Sequence, residues 1–280
     1  FALPENIDVV WSEEELQPSD MWVIAVPSGA VRDILARVRG DSPLLVIASK
    51  GLETGTALLL KTVVEEALPS GIAGVLSGPN LAIEIVRGIP TVAVSAFAEA
   101  SHAERVRQAF MCRSFRVYTS EDVVGVELAG ALKNVLAIGA GLSDGLGFGN
   151  NTKGALLARG LHEMTSLGVA MGARVDTFMG IAGVGDLFAT ASSSLSRNYR
   201  VGFAIGQGES LADALEGVEQ VAEGVSTSES ALILARRHRV QMPVMEAIES
   251  VLRGRVRPLE AVSLLMERTP RSEGSLQQPC

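Results

Sequence analysis

Hydrophobic residues in the first 120 positions form short continuous runs that alternate with amphipathic segments. The runs MWVIAVPS (21–28), PLLVIASKG (43–51), AGVLSGPN (73–80), TVAVSAF (91–97) and FRVYTS (115–120) predict five β-strands. The intervening segments, such as AVRDILARV and TALLLKTVVEEAL, have the apolar spacing of helices. Continuous apolar strands that alternate with helices predict a parallel sheet covered on both faces.

Helical patterns replace the strands after Thr119. From Glu121 to about Glu267 the pattern is helical and is broken by glycine-rich turns such as DGLGFGNN and AGVGD. We therefore predict an α/β domain over residues 1–119 and an all-α domain for substrate binding and catalysis over 120–270. The polar, proline-containing tail over 271–280 is expected to be disordered.

The carboxyl ends of the predicted strands carry the sequences AVPS, ASKG and SGPN, and parallel α/β domains bind ligands beyond such ends. A dinucleotide-binding domain normally opens with a strand, GxGxxG and a helix. The sequence lacks that spacing. We expect a Rossmann-like doubly wound sheet that is truncated at its N-terminus, and such a chain is expected to be weakly active or inactive. The alternative is a complete α/β domain that never bound a dinucleotide.

Composition narrows the classes of function. The chain is 47% hydrophobic and 20% charged, a globular mix, and its net charge of −8 argues against non-specific nucleic-acid binding. No run approaches about 18 uncharged apolar residues, so no membrane span is predicted. The two cysteines, Cys112 and Cys280, form no metal-ligand spacing, which argues against a zinc site and fits a reducing cytoplasm.

A lysine lies inside the very apolar segment ALKNVLAIGAG. On a helix, Lys133 has several small same-face neighbours, namely Ala129, Gly130, Ala137 and Ala140. A narrow dry groove there would lower the pKa of the lysine, whereas an arginine could not give up its proton. Lys133 is therefore a candidate general base, although a lysine that snorkels to solvent gives the same pattern.

A second cluster comprises Asp186 and the tripeptide Ser196, Arg197 and Asn198. A planar guanidinium with neutral donors beside it suits a phosphomonoester. The segment SSSLSRN equally suits a helix-capping turn with a solvated arginine. The spacing alone leaves both interpretations open.

Longer motifs resemble a known family. SKGLE (49–53), SGPNLAIEI (77–85), GVELAGALKNVLAIGAGLSDGLGFGNNTKGALLARG (125–160), AGVGDLFATASSSLSRNYRVG (182–202) and VAEGV (221–225) resemble bacterial-type NAD(P)-dependent glycerol-3-phosphate dehydrogenases. The resemblance covers nearly the whole chain in the right order. The family more often has serine and phenylalanine in place of Asn80 and Leu81, a departure that concerns one substrate contact.

The resemblance implies residue roles, with Lys133 as the proton acceptor. The implied substrate contacts are Lys50, Gly78, Asn80, Lys133, Asp186, Ser196, Arg197 and Asn198. The implied cofactor contacts are Lys50, Ala82, Arg197, Val221 and Glu223. As a carboxylate, Asp186 would raise the pKa of Lys133, so burial and Arg197 are expected to outweigh it.

The resemblance implies interconversion of sn-glycerol 3-phosphate and dihydroxyacetone phosphate with NAD or NADP, which supplies glycerol 3-phosphate for phospholipid synthesis. A small phosphate ester is the expected partner, without nucleic acid or membrane, and a homodimer is left open. One alternative is a related two-domain dehydrogenase of hydroxy acids, although those commonly space lysine and asparagine four apart, whereas Lys133 and Asn134 are adjacent. Another is a non-catalytic remnant that binds a phosphometabolite.

Overall fold

The computed structural model describes residues 4–38, 44–218 and 221–269. Five strands form one sheet in the order β1-β2-β3-β4-β5. They are β1 Trp22–Ile24, β2 Leu44–Ile47, β3 Ile72–Ser77, β4 Thr91–Ala96 and β5 Phe115–Ser120. The helices between them are α1 Val31–Leu35, α2 Leu60–Ala67, α3 Ala82–Val86 and α4 Ala100–Phe110. Each apolar run named above contains or overlaps one strand.

Three of the four strand pairings are parallel, and the exception is β3 with β4. The prediction of a parallel sheet is therefore confirmed for three of the four strand pairs. The connection between β3 and β4 contains only the five-residue helix α3, which spans about 7 Å. The six residues of β3 span about 20 Å. The carboxyl ends of β1, β2 and β3 share one edge of the sheet, while β4 and β5 run the opposite way.

Helices make up the regular structure after β5 in the part of the chain that is described. They are α5 Val123–Gly145, α6 Asn150–Ala170, α7 Val175–Met179, α8 Asp186–Ala191, α9 Arg197–Gly206, α10 Leu211–Glu216, α11 Glu223–Arg237, α12 Pro243–Leu252 and α13 Pro258–Met266. A single π-helical turn, Ile181–Gly185, leads into α8. The predicted change from strands to helices near residue 120 thus occurs between β5 and α5. The two-domain division stays a prediction, and the predicted tail lies outside the described residues.

Helix α5 is the centre of the helical region. Asp122 caps its start, because its side chain accepts a hydrogen bond of 2.9 Å from the backbone N–H of Gly125. By length and composition α5 could cross a membrane, but 94% of its apolar window is buried within the chain. The apolar composition of α5 therefore serves the protein core.

Glycines bring α5 and α9 into backbone contact. A Cβ atom at Gly202 of α9 would overlap the carbonyl oxygen of Ile138, and one at Gly141 of α5 would overlap that of Tyr199. Larger residues at these positions would push the helices apart. This close approach fixes the N-terminus of α9, which carries Ser196 and Arg197, relative to α5.

Candidate active site

The loops that follow β2 and β3 form one wall of the candidate site. The ammonium of Lys50 donates a 2.7 Å hydrogen bond to the carbonyl oxygen of Gly78. Gly78 has a φ of +139°, and a Cβ there would lie 3.0 Å from the carbonyl oxygen of Val92, so the turn requires glycine. The amide of Asn80 donates to the same Val92 oxygen at 2.9 Å, which ties this loop to β4.

Two lysines meet at one buried carboxylate. Asp186, the first residue of α8, is 1% exposed. Its Oδ2 lies 2.7 Å from Nζ of Lys50, and its Oδ1 lies 2.7 Å from Nζ of Lys133. The Thr190 hydroxyl accepts a 2.6 Å hydrogen bond from Lys133 and donates one of 2.7 Å to the backbone oxygen of Asp186. The amine of Lys133 is thereby held between two acceptors on α8.

Small residues on α5 make room for this meeting. A Cβ at Gly130 would lie 2.6 Å from Oγ of Ser77 and 3.9 Å from Cδ of Lys50. Gly130 therefore lets the end of β3 and the stem of Lys50 approach α5, one turn before Lys133. The other predicted same-face neighbours, Ala129, Ala137 and Ala140, are fully buried.

Lys133 is buried, not snorkelling. The residue is 6% exposed, and burial together with the charge of Lys50 lowers its pKa to about 8, against the opposing effect of Asp186. About one molecule in ten then carries a neutral amine at pH 7. The sequence predicts Arg197 as the cation that opposes Asp186, but in the structure Lys50 has this role, because it shares the carboxylate with Lys133.

The tripeptide 196–198 combines a helix cap with an unpaired cation. The Ser196 hydroxyl caps α9 by accepting a 3.3 Å hydrogen bond from the N–H of Tyr199. Arg197 is exposed and makes no hydrogen bond or ion pair with any described residue. The side-chain oxygen of Asn198 accepts a 2.9 Å hydrogen bond from the N–H of Gly224. The capping interpretation thus holds for Ser196, while Arg197 is available to a ligand.

The residues expected to contact the cofactor lie at element ends. Ala82 is exposed and begins α3, so its N–H has no intrahelical acceptor. Val221 is 52% exposed and precedes Glu223, which begins α11. Glu223 accepts a 3.0 Å hydrogen bond from the N–H of Ser28 and a second from its hydroxyl.

The structure adds Ser28 and Thr190 to the residues that sequence analysis named. The strand end AVPS contains Ser28, but its partner lies 195 positions away. Thr190 lies four positions after Asp186. On a helix this spacing puts both residues on the same face, a signal that is visible in the sequence. Hydrogen bonds and ion pairs join Lys50, Gly78, Lys133 and Asp186, whereas no side-chain hydrogen bond or ion pair between described residues joins Arg197, Ala82 or Val221 to this group.

A cavity of about 490 Å³ lies elsewhere, at the opposite edge of the sheet. Its lining includes Tyr118, Glu121, Arg174 and Thr177, near the carboxyl end of β5. It contains none of the predicted site residues. The candidate site is therefore defined by its hydrogen-bonded side chains and not by this cavity.

Comparison with known families covers both halves of the chain. Residues 1–103 match the family described as NAD-dependent glycerol-3-phosphate dehydrogenase N-terminus. Residues 122–263 match the family described as NAD-dependent glycerol-3-phosphate dehydrogenase C-terminus. Together these matches include every residue of the candidate site.

Similar proteins carry the same name. Glycerol-3-phosphate dehydrogenase (NAD(P)+) of Thermoanaerobacter sp. (strain X514) is 47% identical over 275 residues, which is 97% of this chain and 83% of the relative. That of Methylibium petroleiphilum is 46% identical over 252 residues, 90% of this chain and 76% of the relative. The crystal structure of glycerol-3-phosphate dehydrogenase from Coxiella burnetii has a TM-score of 0.84 at 34% identity, covering 89% of this chain and 77% of that one.

Proposed function

Since the chain belongs to the NAD-dependent glycerol-3-phosphate dehydrogenase family, we propose that it interconverts sn-glycerol 3-phosphate and dihydroxyacetone phosphate with NAD(H) or NADP(H). The supporting observation is the buried amine of Lys133, which has a pKa of about 8 and is held by Asp186 and Thr190. In the cell the reductive direction would supply glycerol 3-phosphate for phospholipid synthesis.

Lys133 moves the proton in this proposal. A bound nicotinamide cofactor would supply hydride transfer at the carbon that carries the hydroxyl group. In the oxidative direction the neutral amine of Lys133 takes the proton of that hydroxyl. In the reductive direction the ammonium returns a proton to the carbonyl oxygen. Asp186 and Thr190 orient the amine, and burial keeps water from competing for the proton.

Lys50 has two roles in this proposal. Its charge lowers the pKa of Lys133, and its ammonium lies within hydrogen-bond distance of both Gly78 and Asp186. Negative charge develops on the substrate oxygen as the hydroxyl proton leaves. A cation fixed beside Lys133 stabilises that charge without reorganising during the reaction.

Arg197 is the proposed phosphate-binding residue. Its exposed guanidinium has no protein partner among the described residues, and a guanidinium binds phosphate oxygens in a bidentate manner. The Asn198 oxygen is already bound to Gly224, so Asn198 would contact the phosphate through its NH2 group. Ser196 would fix the backbone of the tripeptide as the cap of α9.

The residues of the chain fit the reacting end of a dinucleotide. Lys50, Ala82 and Glu223 lie in segments at the carboxyl-end edge of β1 to β3, where α/β folds bind such cofactors. Glu223 is an acceptor for hydroxyl or amide groups, and the N–H of Ala82 is a donor. The low cysteine content of the sequence, with only Cys112 and Cys280, fits a cytoplasmic location, and a homodimer stays a prediction that light scattering can test.

The test is an assay of NADH and NADPH oxidation by the purified protein with dihydroxyacetone phosphate. Matched assays use a 2-keto acid, and Lys133→Met serves as the inactive control. The rate with the phosphate ester, even if low, is expected to exceed the rate with the keto acid. Activity only with the keto acid would favour the hydroxy-acid dehydrogenase. Binding of the phosphate ester without any dinucleotide binding would favour the non-catalytic remnant.

A further inference from the structure

We propose that Ser28 is a positioning residue for the cofactor, which acts by holding the Glu223 carboxylate at the carboxyl end of β1. The inference rests on the proposed function. Ser28 is 2% exposed and donates from both its N–H and its hydroxyl, one to each oxygen of Glu223. A carboxylate bound at both oxygens cannot rotate freely, so its remaining lone pairs have a fixed direction.

The position of the Ser28–Glu223 pair determines which chemical groups the pair can bind. Ser28 begins a short helical turn, Ser28–Ala30, that continues into α1. A backbone N–H at such a strand-to-helix turn is where α/β folds bind phosphate. Here the carboxylate of Glu223 occupies that place and would repel a phosphate. The Ser28–Glu223 pair therefore suits the uncharged donors of a dinucleotide, which are its ribose hydroxyls and its carboxamide.

The pair also packs against the loop that carries Lys50. A Cβ at Gly51 would lie 2.6 Å from Oγ of Ser28 and 3.3 Å from Oε2 of Glu223. Only a glycine leaves the serine and the carboxylate undisturbed at this distance. The position of the Lys50 loop is thus coupled by direct packing to the position of Glu223.

On the other side, the first turn of α11 is held by the phosphate-binding tripeptide. The N–H of Gly224 donates to the side-chain oxygen of Asn198 at 2.9 Å, and Asn198 is the neighbour of Arg197. Residues 223 and 224 therefore bridge the end of β1 and the start of α9. Ser28 fixes the carboxylate of Glu223. If that carboxylate could rotate, we expect the affinity for the cofactor to fall before other properties of the site change.

The experiment is fluorescence titration of NADH and NADPH on the purified protein carrying Ser28→Ala. This change keeps the backbone N–H bond and removes the hydroxyl bond. We expect the Kd for the dinucleotide to rise about 10- to 150-fold, the loss expected for one hydrogen bond to a charged group. The kcat at saturating cofactor and the KM for dihydroxyacetone phosphate should change much less.

Two controls separate positioning from a general loss of structure. Ser95→Ala removes another buried serine hydroxyl, which donates to the backbone oxygen of Ala103 away from the site, and it should leave the Kd unchanged. The double variant Ser28→Ala with Glu223→Gln should bind no worse than Glu223→Gln alone, because Ser28 acts through Glu223. If the melting temperature of Ser28→Ala is lower than that of Ser95→Ala, Ser28→Cys is tested in its place. A thiol is only a weak hydrogen-bond donor, so Ser28→Cys should also raise the Kd for the dinucleotide.

An unchanged or tighter Kd in the Ser28 variants would overturn the proposal, as would additive losses in the double variant. Tighter binding would mean that Ser28 competes with the cofactor for Glu223. An unsubstituted protein that binds the dinucleotide but does not reduce dihydroxyacetone phosphate would contradict the proposed function alone. An unsubstituted protein that binds no dinucleotide would overturn both.

Discussion

Lys50 and Lys133 bind opposite oxygens of one buried carboxylate, each at 2.7 Å from Asp186. A single lysine beside a buried aspartate would stay charged, because the carboxylate raises its pKa. The second lysine opposes that effect and, together with burial, brings the pKa of Lys133 to about 8. Asp186 can therefore orient the amine of Lys133 without keeping it permanently protonated.

Replacing Lys50 should shift the pH dependence of the reaction. Lys50→Met keeps an apolar stem but removes the cation that lowers the pKa of Lys133, so that pKa rises above about 8. In the proposed mechanism, oxidation of glycerol 3-phosphate needs the neutral amine of Lys133, so its rate should rise with pH through the pKa of Lys133. The inflection of kcat should consequently move to higher pH. Lys50→Arg keeps the charge, so its kcat should have its inflection at the same pH as the unsubstituted protein. An unmoved inflection in Lys50→Met would show that Lys50 does not lower the pKa of Lys133.

Lys133→Ala should lower turnover by about 10²- to 10⁴-fold, the usual contribution of a positioned acid or base. Lys133→Arg should be nearly as inactive, because arginine keeps the charge but cannot give up its proton. Initial rates at saturating substrate and cofactor test both variants. Lys61→Ala, which removes a lysine paired with Glu65 on α2, is the control and should retain activity. High turnover of Lys133→Arg would replace the proton-transfer role with a purely electrostatic one.

Thr190→Val should lower kcat by roughly 10- to 100-fold, because the Lys133 amine loses one of its two acceptors. Valine fills nearly the same volume, so the loss should not come with a cavity. Thr190→Ser keeps the hydroxyl and should retain most of the activity. Equal activity of the valine and serine variants would show that Asp186 alone suffices to orient the amine.

Sequence patterns identified the strands and the central lysine because each has a local signal. Continuous apolar runs located all five strands, and the ammonium of Lys133 was conspicuous within an apolar helix. The pairing of Ser28 with Glu223 has no local signal, since the residues lie 195 positions apart. The sequence also could not tell which cation shares Asp186, because that depends on Gly130 leaving room for the stem of Lys50. The antiparallel β3–β4 pair has no signal in the apolar runs either, because such a run shows where a strand lies and not the direction in which it pairs.

Arg197→Ala should raise the KM for dihydroxyacetone phosphate by about 10- to 150-fold, the loss of a charge-assisted contact. It should matter much less for unphosphorylated dihydroxyacetone. The melting temperature should not change, because Arg197 is exposed and contacts no described side chain through a hydrogen bond or ion pair. Arg200→Ala on the same helix removes a bond to the Gly217 carbonyl and should leave both KM values unchanged. Equal losses on both substrates would assign Arg197 to the cofactor or to folding.

Two glycine-to-alanine changes should shift stability in opposite directions. At Gly202 the added methyl group would overlap the Ile138 carbonyl oxygen, so α9 must move away from α5 at a cost of about 1–3 kcal/mol or more. At Gly154, inside α6, no atom lies within 4 Å of the added methyl group, and the better helix propensity of alanine should stabilise the protein by up to about 1 kcal/mol. Urea unfolding of both variants gives the free energies of unfolding. Because α9 carries Arg197, Gly202→Ala should also raise the KM for dihydroxyacetone phosphate, whereas Gly154→Ala should not. A Gly202→Ala variant with unchanged stability and KM would show that the α5–α9 contact does not fix the position of Arg197.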